Sequence, residues 1–198
     1  MNRNIKTAAK LAALAGAFAL TGCAFVPDTV HPQYIPQANV QKIPGADKVA
    51  VDVVVKNEKK RHDQVSVNVS PIGIHWAGVY MHVTKDFKNA IDSALAERGF
   101  DIGQSNGKNV TVTINHFYYV PHPGFFAGSQ TGQAKFYVSV KSENGAILYG
   151  KHIIINYHKN GIIKILPGED RHYASEAILN ESVRNIVNNK SFLIALMQ

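Results

Sequence analysis

One cysteine, Cys23, stands in a chain of 198 residues. A lone thiol closes no intramolecular disulfide and supplies no multi-cysteine metal site. Long apolar runs are missing as well. The apolar run at residues 11–20 (LAALAGAFAL) is ten residues long, against about 20 for a helix that crosses a bilayer. Catalytic signatures are equally scarce: neither Gly-x-Ser-x-Gly nor His-Glu-x-x-His occurs. Ser105-x-x-Lys108 is present, but it holds an Asn-Gly turn that runs into a strand pattern. A lysine that activates a serine in this spacing has to stand one helical turn away from it. Residues 103–109 (GQSNGKN) do not make a phosphate loop, because the spacing is short by one and a strand follows where a helix is needed. The nine histidines, at 31, 62, 75, 82, 116, 122, 152, 158 and 172, form no His-x-His or His-x3-His pair. No metal site and no cofactor is expected, and the chain reads as a protein that is not an enzyme.

What is present begins at the N-terminus. Arg3, Lys6 and Lys10 precede the apolar run with no acid among them, and the run has the length of a secretory signal's apolar region. Small residues then lead to Leu20-Thr21-Gly22-Cys23. That order resembles the lipobox of bacterial lipoproteins. The resemblance implies cleavage between Gly22 and Cys23, a diacylglyceryl thioether on Cys23 and an acyl chain, such as palmitate, on the new amine. The single thiol is then the lipid attachment atom. Each buried methylene contributes about 0.8 kcal/mol and one chain alone binds marginally, so three chains hold a protein to its membrane essentially permanently. Among sorted lipoproteins an Asp after the cysteine commonly signals inner-membrane retention. Ala24 therefore implies the outer membrane, with the domain facing the periplasm.

Removal of residues 1–22 leaves 18 basic and 14 acidic side chains, a formal balance of +4. The basic character of the whole chain thus belongs in part to its signal, and no nucleic-acid partner is expected. The expected partners are the outer membrane, through the lipid, and an unidentified envelope protein.

Residues 23–46 carry Pro27, Pro32, Pro36 and Pro44, and no apolar period survives them. They read as the lipidated N-terminus and a flexible tether, partly polyproline in character. Val30, Tyr34 and Ile35 leave open that it packs back onto the domain. Residues 47–198 are one domain's worth of chain.

Within it, Val49, Val51, Val53 and Val55 alternate as a strand, and Val65, Val67 and Val69 repeat the pattern. Residues 70–82 show no clean period. Phe87, Ala90, Ile91, Ala94 and Leu95 mark one face of a helix, with Thr84 as N-cap candidate and Gly99 as its C-terminal stop. Residues 109–119 form a strand whose apolar face switches near His116, so that either both faces are covered or a bulge intervenes. Residues 133–141 and 146–157 read as a hairpin around a two-residue Asn144-Gly145 turn. That turn pairs Val140 with Tyr149, Val138 with Lys151 and Phe136 with Ile153, and Lys151 must snorkel or a bulge must reset the register. Residues 173–188 are helical, and Ser191 caps a short last helix over 192–197. The sum is an α+β fold: a mostly antiparallel sheet of about four to five strands, with two main helices on one face.

The lipobox LTGC, the strand VAVDVVVKN at 49–57 with its basic turn, the helix end ALAERGF at 94–100, the strand NVTVTINHFY, the Asn-Gly hairpin and the long C-terminal helix together resemble the YajG-type family of bacterial lipoproteins. The resemblance spans almost the whole chain and implies an outer-membrane lipoprotein.

Two surface candidates remain. Lys59, Lys60 and Arg61 form a basic cluster that could meet anionic lipid, although Glu58 and Asp63 flank it as in a solvated turn. Phe125 and Phe126 lie in a Gly- and Pro-rich loop; they plug the core or form an apolar contact for a partner. The functional expectation is a lipid-anchored outer-membrane lipoprotein with a periplasmic binding or scaffolding domain. The alternatives are an accessory subunit of an envelope transport or secretion assembly and, further off, an envelope enzyme acting on peptidoglycan or lipid.

Overall fold

A computed structural model describes residues 26–69, 73–104, 107–124, 127–162 and 169–198. Its strands are β1 (Asp28–Val30), β2 (Ala50–Asn57), β3 (Gln64–Val69), β4 (His75–Met81), β5 (Asp101–Ile102), β6 (Lys108–His122), β7 (Gly128–Lys141) and β8 (Ile147–Ile162). The helices are α1 (Val83–Glu97), α2 (Glu169–Val187) and α3 (Lys190–Met197). Among the described residues one sheet has the order β5-β2-β6-β7-β8 and a smaller one the order β1-β4-β3.

The α+β class holds, but the sheets are mixed. β2 runs parallel to both β5 and β6, while β6, β7 and β8 pair antiparallel. The expectation of a mostly antiparallel sheet followed chain order, in which neighbours are joined by short turns. After Asn57 the chain instead builds β3, β4 and α1 before returning as β6 beside β2, and so long a crossover permits a parallel neighbour. The stretch without a period, residues 70–82, contains β4.

The alternating valines do what their spacing demands. Val51, Val53 and Val55 are buried, as are Val110, Val112 and Ile114 on β6 and Phe136, Val138 and Val140 on β7. α1 covers β2, α2 covers β7 and β8, and α3 closes the end against β7 and β8. Phe87 of α1 meets Phe117 of β6 edge-on, with ring centroids 5.4 Å apart. The buried stripe of α2 includes Leu179, Val183, Ile186 and Val187, as its periodicity predicts.

The face switch on β6 is a bulge. Ile114 pairs with Phe136 and His116 with Lys135, leaving Asn115 as the extra residue. Buried positions therefore change from even to odd numbers, and Phe117 and Tyr119 join the core. The β7–β8 pairs are the expected ones, Val140–Tyr149, Val138–Lys151 and Phe136–Ile153, but the turn differs. Positive φ falls on Gly145 (84°) and not on Asn144. Ser142 N–H donates to Ala146 O and Gly145 N–H to Ser142 O, both at 2.9 Å, which makes a three-residue loop. A second irregularity, between Val140 and Lys141, restores the register. Lys151 reaches solvent because β8 is an edge strand.

Both helix caps also differ from expectation. α1 begins two residues early, with His82 at the N-cap position in place of Thr84. Asn189, not Ser191, caps α3: its Oδ1 accepts from Phe192 N–H at 3.2 Å.

Residues 26–46 are an arm bound to the domain, not a free tether. β1 pairs parallel with β4, and Val30 is fully buried. Further on, hydrogen bonds stitch the arm across the helices. Asn180 of α2, almost fully buried, accepts from Ile35 N–H at 2.7 Å and donates to Gln33 O at 2.9 Å. Ile43 N–H reaches Arg98 O at 2.9 Å. The prolines that break regular structure leave these backbone groups free for side-chain partners. Asn180→Ala should loosen the arm, at about 1–3 kcal/mol for the partners it strands. Hydrogen exchange should rise at residues 33–37 and stay low in β6 and β7.

Candidate functional site

The arm crossing α1 encloses a groove of about 470 Å³. Pro32, Gln33, Tyr34 and Pro36 form one wall, and Asp86, Asn89, Ala90, Ser93, Ala96 and Glu97 of α1 the other. Two prolines keep the arm extended, so it bridges the helix surface without filling it. Ala90, Ser93 and Ala96 are short side chains three apart, and they hollow the helical wall.

Polar groups gather at the two ends. At one, Tyr34 Oη donates to Glu97 Oε2 at 2.9 Å. Burial and the adjacent Glu97 carboxylate push the Tyr34 phenol above its ordinary pKa. At the other, Asp86 sits in the first turn of α1 with its N–H on His82 O at 2.8 Å. Asp86 Oδ2 is shielded from solvent and has no hydrogen-bond partner among the described residues. Burial raises the Asp86 pKa, against the opposing pull of His82, His31 and Lys85. His31 of the arm lies against His82, ring centroids 5.6 Å apart.

This arrangement suits recognition by hydrogen bonds. The two carboxylates are eleven residues apart on one helix, about 16 Å along its axis. Paired acid–base carboxylates of glycoside hydrolysis stand about 5–9.5 Å apart. Ser93 Oγ is turned back onto Asn89 O at 2.8 Å. Among the described residues no group of three His, Cys, Asp or Glu side chains is placed to hold a metal ion.

Sequence reasoning missed this site. Asp86, Asn89, Ser93 and Glu97 do recur at helical spacing, as a polar stripe beside the apolar one. Such a stripe ordinarily faces water, and only the docked arm makes it a wall.

The basic cluster separates into three fates. Lys59 is 5 % exposed, and its Nζ donates to Gln64 O at 3.1 Å and Phe117 O at 3.3 Å. It is thus withdrawn from any contact with anionic lipid. Arg61 lies over the Tyr118 ring and donates to its hydroxyl at 3.0 Å, while Lys60 faces solvent. The reason lies in the sheet. β2 ends at the level of Ile114, and the β6 edge beyond it needs donors. Lys59 supplies one for Phe117 O and Ser66 Oγ, at 2.7 Å, one for Tyr119 O. Gly22, Cys23, Phe125, Phe126 and Ser105 lie outside the described residues.

The fold has relatives among solved structures. Protein XCC0632 from Xanthomonas campestris, of the family DUF330, is similar with a TM-score of 0.51 and 10% identity, over 82% of this chain and 92% of that one. A minor lipoprotein from Acinetobacter baumannii gives 0.42 and 9%, over 72% and 91%. Lipoprotein GNA1162 from Neisseria meningitidis gives 0.35 and 12%, over 71% and 99%. No curated protein matches the chain. No helix among the described residues is long and apolar enough to cross a membrane. Residues 36–196 match the family model described as uncharacterized lipoprotein, and with four-fifths of its length covered the chain belongs to that lipoprotein family.

Proposed function

We propose that this chain is an outer-membrane lipoprotein of the YajG type, held by the lipid on Cys23, whose periplasmic domain binds an envelope component without catalysis. One observation carries the binding role: the segment that joins the lipidation site to the domain is itself a wall of the groove. Anchor and binding surface are therefore one body, as a membrane-mounted scaffold requires. The groove offers the Glu97 carboxylate at one end and Asp86 at the other to a ligand rich in N–H or O–H donors. Phe125 and Phe126 are a second contact for the same partner.

A photo-crosslinking residue at Asn89 or Ser93 should capture one envelope component in cells, read by mass spectrometry. Asp86→Asn should reduce that capture. A set of adducts no different from that at an unrelated exposed position, such as Glu143, refutes a specific groove ligand. Independently, Cys23→Ser should abolish incorporation of labelled fatty acid; a labelled variant refutes the anchor.

A further inference from the structure

The docked arm decides which end of the domain meets the membrane. β1 runs parallel to β4, with Asp28 opposite Val79 and Val30 opposite Met81. Followed backwards from Asp28, the chain therefore heads towards the beginning of β4, the end that carries Ile74 and His75. Val26 is the first described residue, and Cys23 precedes it by three positions. Three residues reach at most about 11 Å, so the acyl chains enter the bilayer beside this end of the small sheet.

That end and the outer face of β4 that runs from it are apolar and aromatic. Val26 is 60 % exposed, Ile74 51 % and Tyr80 38 %. Trp76, half-buried, shares a strand face with Tyr80, two residues either side of Gly78. The Tyr80 ring lies over Gly78, where a Cβ would come within 2.9 Å of it, so it extends along the strand towards Trp76. Trp and Tyr concentrate at the membrane–water interface, where an apolar ring body and a polar tip are both satisfied. The opposite face of β4 carries Val79 and Met81, both fully buried, so this outer face is what the strand offers to its surroundings.

We infer that Val26, Ile74, Trp76 and Tyr80 form a membrane-seating surface, which rests in the headgroup layer of the phospholipid bilayer that holds the Cys23 lipid. The inference rests on that anchor. The lipid then fixes not only where the protein is but how it stands, with the arm–helix groove held at a set height above the bilayer.

Trp76 is the only tryptophan and reports directly. The acylated full chain is reconstituted into phosphatidylethanolamine–phosphatidylglycerol vesicles, with or without phospholipid brominated high on its acyl chains. Flotation reads the anchor and Trp76 emission reads the surface. Seating predicts that brominated lipid lowers the emission at least twofold. Ile74→Asp with Tyr80→Asp, still floating, should lose most of that quenching. Floating protein whose Trp76 is indifferent to brominated lipid overturns the inference and leaves the anchor standing. Quenching unchanged by the two aspartates also overturns it. Protein that fails to float overturns the anchor itself, and the seating surface with it.

Discussion

Gly99→Val should destabilise the domain by about 3 kcal/mol, read as a lower urea midpoint at unchanged slope. α1 ends at Glu97, and Gly99 follows with φ of 96°. Two hydrogen bonds close the end: Gly99 N–H to Ala96 O at 2.9 Å and Phe100 N–H to Leu95 O at 3.3 Å. This pattern requires the left-handed residue that Gly takes without penalty. The surroundings are open, since a Cβ at Gly99 would meet nothing closer than 3.8 Å. The cost is therefore one of backbone conformation and not of collision. That predicts an order: Asn, which tolerates positive φ, costs least, Ala more, and β-branched Val most. An order set by side-chain volume, with Asn no better than Val, would mean that packing governs this helix end. The arm adds to the loss, because Ile43 N–H bonds to Arg98 O in the same turn.

Lys59→Ala should cost about 2–4 kcal/mol. Its ammonium serves two carbonyls, Gln64 O and Phe117 O, and its stem fills space under the β6 edge. Lys59→Met keeps the stem and should cost less. The pH dependence is separable. Burial lowers the Lys59 pKa from 10.5 to about 8, against a smaller opposing pull from Asp63. Between those values the unfolded chain holds the proton more tightly than the folded one. Stability therefore rises with pH across that window, by at most about 1.4 kcal/mol per pH unit. Below pH 8 both states carry the charge and the burial cost is present in full. Subtracting the Lys59→Met curve cancels the other titrations, including the half-buried Tyr34 and Tyr149 phenols, whose raised values act in the opposite sense. A flat difference between pH 7.5 and 10 would mean that the ammonium is solvated.

These two residues also show what a sequence can and cannot tell. Gly99 was legible because helix ends obey local rules: an apolar stripe, then a residue that tolerates positive φ. β2, α1, α2 and the β7–β8 register were legible for the same reason, since each is specified within a few residues. Lys59 was not. In NEKKRHD it looks like any solvated cation, and its task is set by where β2 stops beside β6, over 50 residues away. The arm was hidden in the same way. Its partners, Glu176 and Asn180, lie more than 140 positions downstream of Gln33 and Ile35, and its prolines erase any period. β4 escaped because both its faces are apolar, one towards the core and one carrying Trp76 and Tyr80. The groove inherits all of this: its helical wall was readable as a polar stripe, and its other wall was not.

The bulge at Asn115 gives β6 a reading frame. Every residue after it owes its side of the sheet to that one extra position. Straightening the strand at Asn115, with every residue kept, would leave composition and strand propensity untouched. It would nonetheless turn Phe117 and Tyr119 outward and send Tyr118 and Val120 inward, because side chains on a strand alternate with a period of two. Beyond the bulge, in the second half of β6, length changes can thus pass only in steps of two, or as an insertion and a deletion that cancel, whereas loss of Asn115 itself would remove the bulge and leave Phe117 and Tyr119 inward. In that half of the strand, parity is held more tightly than the identity of any single side chain.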